Sequence, residues 1–165
     1  MNKLNYTEEI FNILSRGGFI SNNSVQARIK RYYDAIEDHQ AEYDEYYQGI
    51  GFYLEVGDGY FFFTRKETKV DLLRKLEAVS KWIDYLTFLK TYNSAFGSGL
   101  VFSAADIVVR INCDMELKEL AGKLFSEKKS YDEIVEKLIS ELERMGFIEQ
   151  QDEVEKTWKV LASFH

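Results

Sequence analysis

The chain has 165 residues, of which 45% are hydrophobic and 30% are charged, and its formal net charge is −7. This composition is typical of a folded globular protein and excludes a disordered chain. Residues 1–93 carry 12 basic and 14 acidic side chains, and residues 94–165 carry 9 and 14. Neither half therefore has the basic excess of a protein that binds nucleic acid by charge alone.

Proline is absent and Cys113 is the only cysteine. The absence of proline favours long, uninterrupted helices. No signal-peptide pattern follows Met1, and no apolar run approaches the roughly 18 residues of a membrane-spanning helix, so we expect a soluble cytoplasmic protein. One cysteine cannot form an intramolecular disulfide, and Cys113, close to Ile111, is expected to fill the core.

The first part of the chain predicts three helices and a short strand. Asn5-Tyr6-Thr7-Glu8 has the form of a capping box, and Gly17-Gly18 ends the helix that follows it. A brief strand is expected at Phe19-Ile20. Apolar side chains at helical spacing identify a second and a third helix; they are Val25, Ile29, Tyr32, Tyr33 and Ile36, and then Ala41, Tyr43, Tyr46 and Tyr47.

A hairpin is the clearest local signal. Residues 52–56 and 60–64 are rich in aromatic and β-branched side chains, and Gly57-Asp58-Gly59 separates them. Three residues rich in glycine between two such runs predict a β-hairpin. The order helix, short strand, helix, helix, hairpin predicts a winged helix-turn-helix.

A long helix is predicted from about Thr68 to Tyr92. Apolar residues recur along it at spacings of 4, 3, 4 and 3, which resembles a coiled-coil seam; they are Leu72, Leu76, Val79, Ile83 and Leu86. Leu73, Trp82, Tyr85 and Leu89 widen the apolar surface beyond one face. Two interpretations stay open: a connecting helix packed against both halves, or a stripe that meets a second copy or a partner.

The second part repeats the pattern of three helices and a hairpin. Ser103, Asp114 and Ser130 are expected to cap the helices, and residues 147–149 and 157–161 flank a polar turn. Phe96-Gly97-Ser98-Gly99 is expected to be a flexible joint between the domains.

The predicted fold class is mainly α with small β-hairpins (α+β), with two winged-helix-like domains in tandem joined by a long helix. We expect a first winged-helix domain at residues 1–67, a connecting helix at 68–96 and a second winged-helix domain at 97–165.

The sequence offers no catalytic constellation. His39 and His165 are the only histidines, and no second cysteine is available for a metal site. An enzyme would have to be built on His39, between Asp38 and Gln40, with no marked partner residues. We therefore expect no enzymatic activity, no cofactor and no metal.

Winged helices often bind DNA through their third helix, which needs basic or amide side chains toward the bases. Here both third helices are acidic, which argues against a tandem winged-helix transcriptional regulator, the alternative function. Basic residues gather elsewhere, and they are either a solvated face or a patch that touches the DNA backbone without choice of sequence. The candidates are Arg28, Lys30 and Arg31, and then Arg65, Lys66 and Lys69.

Three segments of the first part resemble MukE/MksE-like (KITE) proteins, the tandem winged-helix subunits of bacterial SMC–kleisin condensins and related plasmid-defence systems. They are Arg31-Tyr32-Tyr33-Asp34, the run from Tyr46 to Leu54, and the run from Gly57 to Phe63, and the likeness covers residues 15–66. The second part matches in its order of elements. The resemblance implies a cytoplasmic, nucleoid-associated homodimer without catalysis, which binds a kleisin and works beside an SMC-type ATPase in chromosome organisation or plasmid defence.

Candidate dimer or partner contacts are Tyr43, Tyr46 and Tyr47 on the third helix and Trp82 on the connecting helix. Aromatic side chains are enriched at interfaces. The three tyrosines fit the core of the first domain equally well.

Overall fold

The computed structural model describes residues 3–65, 69–128 and 130–164, and within the long helix it excludes the side chains of residues 69–73 and 75. Seven helices and two three-stranded antiparallel sheets make up these ranges. The predicted fold class, mainly α with small β-hairpins, is confirmed. No helix among the described residues is long and apolar enough to span a membrane.

The first half contains three helices and one sheet, in the order α1 (Thr7–Leu14), β1 (Ile20–Ser21), α2 (Ala27–Asp38), α3 (Gln40–Gln48), β2 (Tyr53–Val56) and β3 (Tyr60–Thr64). The last strand lies in the middle of the sheet, whose order is β1-β3-β2. The predicted hairpin is confirmed, with Val56 opposite Phe61. A Cβ at Gly57 would lie 2.1 Å from Cζ of Tyr60, so glycine at this position leaves room for that ring.

A first hydrophobic core fills the space between these helices and the sheet. Its buried members come from all six elements; they are Ile10, Leu14, Ile20, Ile29, Tyr32, Ile36, Tyr43, Tyr47, Leu54 and Phe61. Of the apolar residues predicted for the second and third helices, Ile29, Tyr32, Ile36, Tyr43 and Tyr47 turn inward, whereas Val25, Ala41 and Tyr46 are exposed. The predicted capping box is wrong, because Tyr6 is the N-cap of α1 in a left-handed conformation (φ 60°) and its side chain forms no cap hydrogen bond.

The second half comprises α4 (Lys69–Tyr92), β4 (Val101–Ser103), α5 (Ala104–Cys113), α6 (Met115–Leu124), α7 (Tyr131–Arg144), β5 (Ile148–Asp152) and β6 (Thr157–Val160). Its sheet has the order β4-β6-β5, so here too the last strand is central and the first strand pairs with it. The predicted caps are confirmed: the side chains of Ser103, Asp114 and Ser130 accept from the amides of Asp106, Leu117 and Glu133. Strand β4 was not predicted from the sequence.

A second hydrophobic core joins the C-terminal part of α4 to α5, α6, α7 and the second sheet. Tyr85, Phe88, Leu89 and Tyr92 of α4 are all buried in it. The buried side chains of α4 therefore pack against the second half, where α4 contacts α5 and α6.

Two expectations for this half are wrong. Phe96 is fully buried, and the N–H of Gly99 donates to the carbonyl of Val160 at 2.8 Å. The segment expected to be a flexible joint is therefore anchored, because its aromatic residue belongs to the core. Cys113 is the last residue of α5 and is exposed, so it does not fill the core.

Candidate partner-binding surfaces

The two halves meet through a small polar cluster around β1 and the loop that follows it. The fully buried hydroxyl of Ser24 donates to both carboxylate oxygens of Glu149, at 2.7 and 2.9 Å. The N–H of Val25 donates to the same carboxylate at 2.9 Å. Asn23 accepts from the N–H of Ala162 at 2.7 Å. These bonds link residues more than 120 positions apart, so they fix the two halves relative to each other.

An aromatic contact reinforces this junction. The rings of Phe19 and Phe147 lie 5.2 Å apart, and Trp82 stacks on Phe147 at 4.8 Å. Phe164 completes the group with its ring edge toward Trp82. Trp82, a candidate partner contact, is therefore half-buried in the structure and ties α4 to the junction.

The part of α4 before Trp82 has little cover from the rest of the chain. Every described side chain from Arg74 to Lys81 is exposed. Leu76, Val79 and Ile83 are 66%, 52% and 55% exposed. These three residues belong to the predicted seam. Leu86, also a seam residue, packs against the second core. The side chains of Leu72 and Leu73 are not among those described. The seam from Leu76 to Ile83 thus turns away from the core, as the interpretation that it meets a second copy or a partner requires.

The tyrosines proposed as dimer contacts divide between core and surface. Tyr43 and Tyr47 are buried in the first core, where their hydroxyls donate to the carbonyls of Asn5 at 2.6 Å and Thr7 at 2.8 Å. Tyr46 is 54% exposed, with its ring edge against Tyr47. Of the three, only Tyr46 is exposed to solvent, and its role in dimerisation stays a prediction.

The basic residues proposed as DNA contacts lie on separate parts of the surface. Arg28, Lys30 and Arg31 are exposed on α2. Arg28 lines a cleft at the junction that also contains the carboxylates of Glu143 and Glu149, which reduces the local positive charge. Exposed Arg65 lines a different cleft, with its guanidinium 5.9 Å from the centre of the Phe52 ring. The other two candidates cannot be placed on this surface. Lys66 lies outside the described residues, and Lys69 begins α4 but its side chain is not described.

The acidic side chains of α3 and α7 are mostly exposed, as the argument against DNA binding by these helices assumes. Exposed carboxylates on α7 are Asp132, Glu133, Glu136 and Glu143, and those on α3 are Glu42 and Glu45. Asp44 is different, because it is half-buried and its carboxylate accepts from the N–H of Leu54 at 2.9 Å. That bond joins α3 to the hairpin.

The structure describes one of the two histidines. His39 is exposed, and its only ion-pair neighbour in the described ranges is Glu42, at 4.0 Å. His165 lies outside the described residues. No three histidine, cysteine or acidic side chains in those ranges converge to hold a metal ion.

Two buried tyrosines with raised pKa values, Tyr47 and Tyr92, donate hydrogen bonds within the fold. Burial raises the pKa of Tyr47 well above its ordinary value, with smaller contributions from Tyr43 and Tyr46. Burial also raises the pKa of Tyr92, and its hydrogen bond to the Asp106 carboxylate raises it further. Both phenols therefore keep their protons at neutral pH and donate hydrogen bonds within the fold.

A family model described as the condensin complex protein MksE matches residues 5–165. The match covers both halves and the helix between them. No curated protein matches the chain.

Proposed function

Because the chain belongs to the family of the condensin complex protein MksE, we propose that it binds a kleisin and has no catalysis of its own. It is an accessory subunit of an SMC–kleisin complex, as that family implies. The observation that carries the proposal is the match over residues 5–165, which includes the exposed seam of α4 as well as both halves. The pathway served is chromosome organisation or plasmid defence.

We also propose that each half is a winged helix, with domains at residues 1–67 and 97–165 and a connecting helix at 68–96. Support comes from the two sheets, in which the last strand lies between the other two. A hairpin ends each domain. In the first domain α1 precedes the first strand, whereas the helix that precedes β4 is α4, which lies in the connecting segment. The second half has three helices between its first strand and its hairpin, against two in the first half.

The surface features favour protein partners over DNA bases. Exposed carboxylates on α3 and α7 would meet phosphates with repulsion, whereas Leu76, Val79 and Ile83 offer apolar area that a protein partner would bury. We propose that the subunit is a cytoplasmic, nucleoid-associated homodimer. Any DNA contact would go through exposed cations such as Arg31 to the phosphate backbone.

Co-expression tests the proposal directly. The chain, the kleisin and the SMC-type ATPase of the same genome are produced together, with an affinity tag on the kleisin alone. We expect the chain to co-purify with the kleisin whether or not the ATPase is present, and to leave the rate of ATP hydrolysis at zero when assayed by itself. A chain that elutes free of the kleisin refutes kleisin binding.

Binding to short duplexes separates this function from that of a transcriptional regulator. We expect weak binding that is independent of sequence and disappears as the salt concentration rises. A complex that discriminates between duplexes and survives moderate salt would instead indicate a regulator.

A further inference from the structure

An open groove of about 500 Å³ runs between α5, α7 and the β5–β6 hairpin. Its lining combines apolar and acidic side chains, which are Ala104, Val108, Val135, Ile139 and Trp158, and Asp132, Glu136 and Glu143, with Ser140 and Lys156. Val135 and Ile139 are buried beneath the floor, while Ala104, Val108 and Trp158 are half-buried and still reach solvent. The groove thus has an apolar floor that a ligand can contact.

The rim of the groove is negatively charged. Asp132, Glu136 and Glu143 are exposed, and none of them forms an ion pair with another residue that the structure describes. Lys156 is the single cation in the lining. At a rise of about 1.5 Å per residue, the three carboxylates are spaced about 6 and 10 Å along one face of α7.

This charge decides between the possible occupants. DNA would bring its phosphates toward three carboxylates, which is repulsive. A second copy of the groove would bring the same carboxylates together. A basic polypeptide segment matches the rim, and an apolar side chain on that segment matches the floor.

We propose that the groove binds a kleisin segment that carries at least two lysine or arginine side chains around an apolar anchor residue. The inference rests on the proposed function, which supplies the kleisin; the groove supplies the chemistry of the segment. Exposed ion pairs alone contribute little, so the anchor buried against Val108 and Trp158 provides most of the affinity. The rim carboxylates select a basic segment and speed its association.

Charge reversal on the rim tests the inference. Glu136→Lys and Glu143→Lys are introduced together, because both residues are exposed. Asp132 is left unchanged, because it lies in the first turn of α7, where a carboxylate stabilises the helix. The matched control is Glu45→Lys with Glu119→Lys, which makes the same change in net charge on exposed positions of α3 and α6, beyond the first turn of each helix and outside the groove lining. Thermal unfolding checks that both variants fold.

Affinity for the purified kleisin of the same genome is measured by calorimetry at low and moderate salt. We expect the groove variant to bind about 10-fold or more weakly than the unchanged chain and to lose most of the salt dependence. The control should stay within about 2-fold. Equal weakening of both variants would mean a general charge effect and would overturn the inference, as would an unchanged affinity of the groove variant.

A photo-crosslinking residue in place of the exposed groove residue Ser140 identifies the bound segment. We expect a crosslink to a kleisin peptide with two or more basic residues beside an apolar one. A crosslink to an acidic peptide, or to a second copy of this chain, overturns the inference. If the kleisin binds but the groove variant binds it equally well, the inference fails while the proposed function stands; if the unchanged chain does not bind the kleisin, both fail.

Discussion

Replacing Glu149 tests whether the polar cluster at the junction holds the two halves together. Its carboxylate accepts from the hydroxyl of Ser24 with both oxygens and from the N–H of Val25. Ser24 is fully buried, whereas Glu149 is half-buried. Hydrogen bonds to a charged group contribute about 1.5–3 kcal/mol each when well shielded. Because Glu149 is partly open to solvent, we expect Glu149→Ala to lower the free energy of unfolding by about 2 kcal/mol in total.

The assay is urea unfolding followed by tryptophan fluorescence and circular dichroism. Glu149→Gln keeps one acceptor oxygen, so its loss should be about half as large, roughly 1 kcal/mol. Glu153→Ala, an exposed position in the turn of the second hairpin, is the control and should change stability by less than about 0.5 kcal/mol.

A double-mutant cycle isolates the contact itself. Glu149→Ala and Ser24→Ala should be non-additive by about 1 kcal/mol, because both changes remove the hydrogen bonds between Ser24 and Glu149. Additive losses, or a loss in Glu149→Ala no larger than that in the Glu153→Ala control, would refute the reasoning. The halves would then be held by the aromatic contacts alone.

Three further outcomes are expected. Trp158→Phe should change stability by less than about 1 kcal/mol, because the buried Nε1–H that it removes has no acceptor among the described residues. Urea unfolding measures this, and a loss of about 3 kcal/mol would contradict the reasoning. Because the pKa of Tyr47 is raised in the folded state, the unfolded chain loses this proton at a lower pH, and the free energy of unfolding should fall as the pH rises above about 10. Tyr47→Phe should make this fall with pH less steep, and an unchanged pH dependence would contradict the burial argument. Val79→Ser with Ile83→Ser should change the free energy of unfolding by less than about 0.5 kcal/mol, because both side chains are exposed. Light scattering or co-purification with the kleisin should show weaker association, and unchanged association would mean that the seam binds no partner.

Local signals in the sequence were enough to predict most of the secondary structure. Ser103, Asp114 and Ser130 cap their helices through bonds to amides three residues on, and Gly57 leaves room for the ring of Tyr60 beside the turn. Such interactions join residues close in the chain, so their pattern is readable in one sequence. The missed strand β4 has three residues and pairs with β6, more than 50 positions away, so it leaves no local pattern.

The family resemblance was also readable from the sequence, through the aromatic and glycine pattern of residues 15–66, and the match over residues 5–165 confirms it. The acidic third helices were visible as well. The groove beside α7 could not be predicted from the sequence, because it is lined by residues of α5, α7 and the hairpin that meet only after folding.

Composition and periodicity determined that this chain is a mainly α protein with small hairpins and that its long helix has more than one apolar face. Only the tertiary structure decided which face is covered: Tyr85 and Leu89 enter the second core, while Val79 and Ile83 stay exposed. It likewise placed Tyr47 inside and Tyr46 outside. The physical reason is that periodicity shows which side chains share a face, whereas burial depends on what distant segments pack against that face.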